Sequence, residues 1–327
     1  MAGLVVAMPG VIPARAFWTV APGAGVILEE RLAPPGPDEC LVHALASGVS
    51  RGTESLVFRG KVPASQHDTM RAPLMAGVFP FPVKYGYAVV GTLNTGQRVF
   101  VLHPHQDVFV APAGMCIPVP DAVPTARAVL AANLETAINI CWDAAPLMGE
   151  RILVIGAGVV GLLTGSLLAR IPGARVTIVD IDPDRAALAE HFGCGFALPD
   201  AAPDNQELIV HASASEAGLR LALSHAAYEG RIIEASWYGD NAPVVPLGEA
   251  FHAARLRIIA SQVGAVAAPM RGRRTHAERM AIALDMLADS TYDALLEGPT
   301  RFDDLPARMP DILCPGGLCH VITYGNE

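Results

Sequence analysis

Apolar and polar positions alternate with two different rhythms along this chain. Over the first 120 residues, short β-branched runs are broken by Pro and Gly. Residues 39–46, 87–93, 98–102 and 107–110 read as strands of an irregular, mostly antiparallel domain. Pro118, Pro120 and Pro124 punctuate its end, and an Ala/Leu-rich stretch over 124–142 has helical character. From Arg151 onward, strands at 151–155, 175–180, 207–212, 230–236 and 256–261 alternate with helices at 159–170, 185–192 and 216–228. That spacing predicts a parallel sheet covered by helices on both faces. Asp182-Pro183 suits a helix start and Gly193 a helix stop. A further helix at 276–288 precedes a last strand, 318–324, that returns to the first domain. The expected division is a β-rich domain over 1–133 with 264–327, and a parallel-sheet domain over 134–263.

Composition supports two cores: the chain has 327 residues, 52% hydrophobic and 17% charged. Its net charge of −9 argues against nucleic acid and anionic membranes, which select clustered Lys and Arg. Arg271, Arg273 and Arg274 form the only dense basic run and read as a solvated helix entry. The uncharged run 152–169 has the length of a membrane span. Its four glycines and its change of period instead indicate a strand running into a buried helix. The first residues lack the basic region of a signal peptide, and Pro9 and Pro13 interrupt their apolar character. Six cysteines without C-x-x-C spacing fit a reducing, cytoplasmic location.

The strongest chemical signal is Gly156-Ala-Gly158-Val159-Val160-Gly161, placed between an apolar strand and an apolar helix. Glycines in that context make the tight turn, admit a pyrophosphate to the backbone and let helix and strand pack closely. The helix N-terminus then offers amides to phosphate. Asp180 ends the next strand, 19 residues beyond Gly161, where a carboxylate accepts hydrogen bonds from ribose hydroxyls and repels a 2′-phosphate. NAD is therefore expected over NADP, although Arg185 lies within reach of a phosphate. Ser213 follows the fourth strand at the cofactor edge; its alternative reading is a plain turn serine.

The domain order, the glycine motif and the C-terminal return together resemble the medium-chain dehydrogenase/reductase superfamily over essentially the whole chain. Pro34-Pro-Gly-Pro-Asp-Glu-Cys-Leu-Val-His43 resembles the entry to its GroES-like domain, and Phe302-Asp-Asp-Leu-Pro306 with 315–322 its usual ending. The resemblance implies a Rossmann doubly wound sheet plus a GroES-like β-rich catalytic domain. It also implies a homodimer joined through the last Rossmann strand. Alcohol dehydrogenases of this superfamily bind a catalytic zinc, but the first-ligand segment here, Ser47 to Glu54, has no cysteine. The usual Gly-His-Glu reads Gly86-Tyr87-Ala88, and the third position falls near Ala132. The cysteine-rich structural zinc lobe is also missing, so no zinc is expected. Ser50-Arg-Gly-Thr53-Glu54 and Arg59-Gly-Lys-Val-Pro63 resemble a zinc-lacking branch that includes bacteriochlorophyllide dehydrogenase.

A zinc-free hydride transfer needs another hydrogen-bond donor for the substrate oxygen. Tyr87 stands at the lost histidine's position, Thr53 matches the proton-relaying Ser/Thr of the family, and Thr136 the residue packed on nicotinamide. His105 is the expected proton exchanger with solvent. The alternatives are structural: a strand aromatic at Tyr87, helix-capping roles for Thr53 and Glu54, a surface histidine at His103 or His105, and an ion pair for Glu135. The leading functional expectation is NAD-dependent oxidation of a small secondary alcohol, or reduction of the ketone. A reductase of activated double bonds and a non-catalytic relative are the alternatives.

Overall fold

Alternating burial along β1 (Ile12–Ala21) makes it a strand, and Pro22-Gly23 turns it back onto β2 (Ala24–Leu32). The computed structural model describes residues 10–325. The expectation about the leader concerns residues 1–9 in part, and those lie outside the described residues; from Ile12 onward the segment is strand β1. This first hairpin had no counterpart in the sequence reading, because β2 carries Glu29, Glu30 and Arg31 and is nowhere fully buried. β3 (Glu39–Val49) is longer than expected and runs directly into α1 (Arg51–Phe58). β4 (Ala76–Gly77) and β5 (Val83–Lys84) extend the first hairpin into a four-stranded sheet. β6 (Val89–Leu93) and β8 (Val108–Pro112) then pair antiparallel with β3, β7 (Arg98–Val101) with β6, and β9 (Ile117–Pro118) with β7. Val42, Val89, Val101 and Phe109 fill their common core. The short helix α2 (Thr125–Ala128) ends this part of the chain.

The second unit opens with α3 (Ala131–Ala144) and then follows the strand–helix rhythm read from sequence. Its elements are β10 (Arg151–Ile155), α4 (Val159–Leu168), β11 (Arg175–Val179), α5 (Ala186–His191), β12 (Gly195–Ala197), β13 (Gln206–His211), α6 (Glu216–His225), β14 (Ala226–Glu234), β15 (Arg257–Ala260) and α7 (His276–Met286). The six strands are all parallel, in the order β12-β11-β10-β13-β14-β15. The order reverses between β10 and β13, which is where a doubly wound sheet opens a crevice at its carboxyl end. The uncharged run 152–169 is strand β10 followed by helix α4, and no helix among the described residues is long and apolar enough to cross a membrane. Asp182 caps a short 3₁₀ turn by accepting from the Asp184 amide at 3.0 Å, and Gly193 stops α5 at a φ of +76°.

The chain then returns to the first unit through β16 (Leu296–Arg301), α8 (Leu305–Ile312) and β17 (Cys319–Thr323). β17 pairs antiparallel with β3 and parallel with β16. The two compact units are the chain up to Val129 with Leu296–Cys314 and Cys319 onward, and Leu130–Leu295 with Pro315–Leu318. The expected return at residue 264 is thus displaced to 296. A buried ion pair explains the displacement. Arg279 of α7, 1% exposed, binds Glu135 Oε1 of α3 at 2.9 Å, and also Asn139 of α3 and the Val263 carbonyl. Burial pushes the Glu135 carboxyl up, and Arg279 opposes the shift. Glu135 therefore takes the ion-pair reading. Arg279→Met strands that carboxylate and is expected to destabilise the chain by about 3–5 kcal/mol, with Arg279→Met/Glu135→Met recovering most of the loss in chemical denaturation.

Candidate active site

The glycine motif forms the turn between β10 and α4. Gly156 adopts φ +107°, and a Cβ there lies 3.0 Å from Ser213 backbone atoms. A Cβ on Gly161 falls 1.8 Å from the Gly156 carbonyl oxygen, so helix and turn can approach only with glycine at this position. A Cβ on Gly158 meets nothing within 4 Å, so packing does not demand that glycine; the open approach suits a ligand phosphate. Gly158 caps α4 with no side-chain acceptor, and Val159 and Val160 begin the helix beside it. Asp180 directly follows β11. Its carboxylate accepts from the Ala157 amide at 2.6 Å and from the Asp182 amide at 3.0 Å, which anchors it against the glycine turn. Arg185 contacts Asp182 and the Gly316 carbonyl. Thr136 spends its hydroxyl on the Ala132 carbonyl of its own helix at 2.9 Å, leaving its methyl as the group free to pack. Ser213 is more than a turn serine: its hydroxyl lies 2.7 Å from His211 Nε2 and 2.8 Å from Ser215 Oγ.

The first unit holds a second polar cluster, built on β3, α1 and the loop before β8. Glu54 uses both carboxylate oxygens. One accepts from the Ser50 amide at 2.7 Å, at the start of α1, and the other lies 2.9 Å from His105 Nε2. The contact to the Ser50 amide agrees with the capping reading of Glu54. A carboxylate only accepts, so His105 carries hydrogen on Nε2 and its Nδ1 accepts from Ser47 at 2.8 Å in the neutral ring. Ser47 in turn meets the Tyr324 hydroxyl at 2.9 Å. Gly86 makes room for this imidazole, since a Cβ there comes within 3.1 Å of His105 Cδ2. His105 is 0% exposed. The ring therefore has no direct contact with solvent, where direct proton exchange was expected, and its two nitrogens are engaged by Glu54 and Ser47. Next to it, Tyr87 donates to Ser50 Oγ at 2.5 Å and also hydrogen-bonds Thr53. Burial, the first cause, and the Glu54 charge push the Tyr87 phenol up to about 12, so it stays a proton-bearing donor across the physiological range.

Sequence reasoning singled out Thr53, Tyr87 and His105 but missed four members of these networks: Ser47, Tyr324, His211 and Glu234. Tyr324 and Ser47 become neighbours only because β17 pairs with β3. Glu234 faces His211 because β13 and β14 are in register at those residues. The available signal for His211 was its spacing from Ser213, two residues along one strand direction.

No family model matches the chain. It is 26% identical over 242 residues to an uncharacterized zinc-type alcohol dehydrogenase-like protein of Haemophilus influenzae, covering 68% of this chain and 66% of that protein. It is 42% identical over 80 residues to L-threonine 3-dehydrogenase of Mesorhizobium japonicum, but spans only 22% of that enzyme's length. Among solved structures, L-idonate 5-dehydrogenase of Escherichia coli superposes with a TM-score of 0.79 at 13% identity, over 96% of this chain and 99% of that one. Acetophenone reductase of Geotrichum candidum, in complex with NAD, gives 0.75 at 17% identity over 97% and 98%.

His103, the other histidine of its pair, sits apart from both clusters and stacks on Phe109 at 3.7 Å. Burial, only partly offset by the Pro104 carbonyl, lowers its pKa to about 3. The unfolded chain protonates this ring near pH 6.5 and the folded chain does not, so His103 subtracts stability as pH falls from 6.5 towards 3. In urea denaturation, that loss is expected at about 1.4 kcal/mol per pH unit, and His103→Phe removes this share of the slope.

Proposed function

We propose that this chain belongs to the medium-chain dehydrogenase/reductase superfamily, with an alcohol- and polyol-dehydrogenase-like character, and is an NAD-dependent oxidoreductase that works without zinc. Its substrate in this reading is a small secondary alcohol or the corresponding ketone. The observation that carries the proposal is the hydrogen bond between Tyr87 and Ser50, which stand in the segments where zinc-dependent relatives supply metal ligands. A phenol and a serine hydroxyl bonded to each other are a poor donor set for zinc, which selects thiolate, imidazole and carboxylate. Ala132, near the third position, offers no donor atom at all. Among the described residues no group of three or more His, Cys, Asp and Glu side chains is placed to hold a metal ion. The donors here do not fit zinc, and no step is assigned to it.

The nicotinamide residues fit better. The strand–turn–helix glycines leave a backbone surface open at Gly158, and Asp180 stands at the strand end beside it. When bound, the nicotinamide supplies hydride acceptance or donation. On substrate binding the Tyr87 phenol turns its single hydrogen from Ser50 Oγ to the carbonyl oxygen and stabilises the charge that develops there, while the Ser50 hydroxyl donates to the phenol oxygen in return. Thr53 and Ser50 hold the phenol in place, while Glu54 and His105 fix Ser50 through the start of α1. Asp180, held by the Ala157 and Asp182 amides, is the residue that would accept from the adenosine ribose hydroxyls. A cytoplasmic homodimer belongs to the same reading. β15 is the edge strand of the parallel sheet, and Ile258 on it is 37% exposed. Light scattering that finds only monomer overturns the dimer.

Three outcomes are expected. A fluorescence titration gives NADH binding at least about tenfold tighter than NADPH, and Asp180→Ala erases the difference. Preference for NADPH with turnover of an activated alkene overturns this reading in favour of a double-bond reductase. Tyr87→Phe lowers kcat for ketone reduction by about 10²-fold while leaving NADH affinity unchanged, as expected for loss of a single oxyanion donor. Prolonged chelation leaves the turnover of the wild-type enzyme unaltered, whereas a metal-restored activity overturns zinc independence.

A further inference from the structure

We propose that Ser213 is an activated nucleophile, paired with His211 as base and Glu234 as the group that orients the base, and that it takes acyl or phosphonyl groups from activated esters. Nothing in the oxidoreductase reading uses these three residues for acid–base chemistry. They come together because β13 and β14 are in register at His211 and Glu234, with Ser213 two residues beyond the strand.

The distances form a continuous chain. Glu234 Oε2 lies 2.8 Å from His211 Nδ1, and His211 Nε2 lies 2.7 Å from Ser213 Oγ. Every hydrogen in it has one consistent place. The carboxylate accepts from Nδ1–H, which leaves Nε2 free to accept from the Ser213 hydroxyl. Ser215 Oγ accepts from the Gly218 amide at 3.0 Å, so its own hydrogen is available to Ser213 Oγ at 2.8 Å. The orienting group is itself held: Glu234 accepts from the Ser236 amide at 2.9 Å and from the Tyr238 hydroxyl at 3.1 Å. Burial pushes the Glu234 carboxyl up, but its hydrogen bonds with His211 and Ser236 outweigh that and hold the group below its ordinary value.

The surroundings are as constrained as the triad. Ala214 adopts φ +51°, a left-handed conformation unfavourable for a non-glycine residue, and its amide is tied to Ser236 Oγ at 3.0 Å. The turn after Ser213 is therefore fixed. Gly218 completes the fit, since a Cβ there falls 2.4 Å from Ser213 Oγ and 2.7 Å from His211 Nε2. His211 is fully buried and Ser213 half-buried, so the serine is the exposed end of the chain of bonds. Nucleophile, base and orienting acid in hydrogen-bond contact are recognised by geometry, whatever fold carries them. The N-terminal end of the ten-residue helix α6, just beyond, favours negative charge developing on the attacked oxygen.

The step balances without any further reagent. Ser213 Oγ forms a bond to the carbonyl carbon of an ester as its proton moves to His211 Nε2. The C–O bond to the leaving alcohol breaks, and His211 returns the proton to that oxygen. Water, deprotonated in the same way, releases the acid and regenerates the serine. With a fluorophosphonate the fluoride leaves instead and the phosphonyl-serine persists.

The test is intact-mass analysis of the full chain after exposure to a fluorophosphonate and to p-nitrophenyl acetate, with peptide mapping of any adduct. One adduct on Ser213 is expected, absent in Ser213→Ala and slowed about 10²-fold in Glu234→Gln. As a reading that needs no variant, the folded chain should label Ser213 about 10²-fold faster than the same chain unfolded in guanidinium. No adduct on Ser213, or equal rates in the folded and unfolded chains, overturns the proposal. Labelling is read without cofactor, so it stands or falls separately from the nicotinamide titration. If both hold, NADH slows the labelling.

Discussion

The carboxylate of Glu54 is the fixed point of the β-rich unit. It is 3% exposed and serves two masters, the first amide of a short helix and a buried imidazole. Removing either partner leaves a buried charge with half its hydrogen bonds, an arrangement that costs several kcal/mol. Because both are present, α1 begins at a defined angle to β3, and Ser50 is held where Tyr87 reaches it. The chemistry proposed for Tyr87 thus depends on a residue that touches no substrate.

The parallel-sheet unit places its chemistry by a different device, register. Strands β10, β13 and β14 are aligned residue by residue, so side chains at their carboxyl ends become neighbours regardless of sequence distance. Gly156 and Ser213 meet in this way, as do His211 and Glu234. One sheet edge therefore serves both the open glycine turn and the serine–histidine–glutamate chain.

The sequence was most legible where chemistry and local structure share a short segment. Residues 151–161 read correctly as strand, turn and helix because the strand is apolar throughout and the glycines have no other use there. Asp182 and Gly193 were readable for the same reason, one as a cap acceptor and one as a left-handed stop. Legibility failed where the cause was tertiary. Arg279 looks like an ordinary polar residue of an amphipathic helix, yet its burial against Glu135 decides which unit residues 264–295 join. β2 was invisible because a half-exposed strand can carry three charges in a row. Tyr324 gave no sign of reaching Ser47, since their partnership depends on pairing across most of the chain.

The helix glycines carry a consequence for how the parallel-sheet unit forms. α4 has ten residues, and two of them are glycines: a Cβ on Gly161 collides with the Gly156 carbonyl, while one on Gly165 meets the movable end of Ile178 at 2.9 Å. Each glycine weakens a free helix by about 1 kcal/mol, and a helix this short is marginal alone even with ideal residues. α4 therefore has little existence as a helix until β10 and β11 are there to receive it. Its secondary structure is acquired on docking, so the order of assembly runs from sheet to helix, and the turn that presents the glycine backbone is among the last features to become rigid.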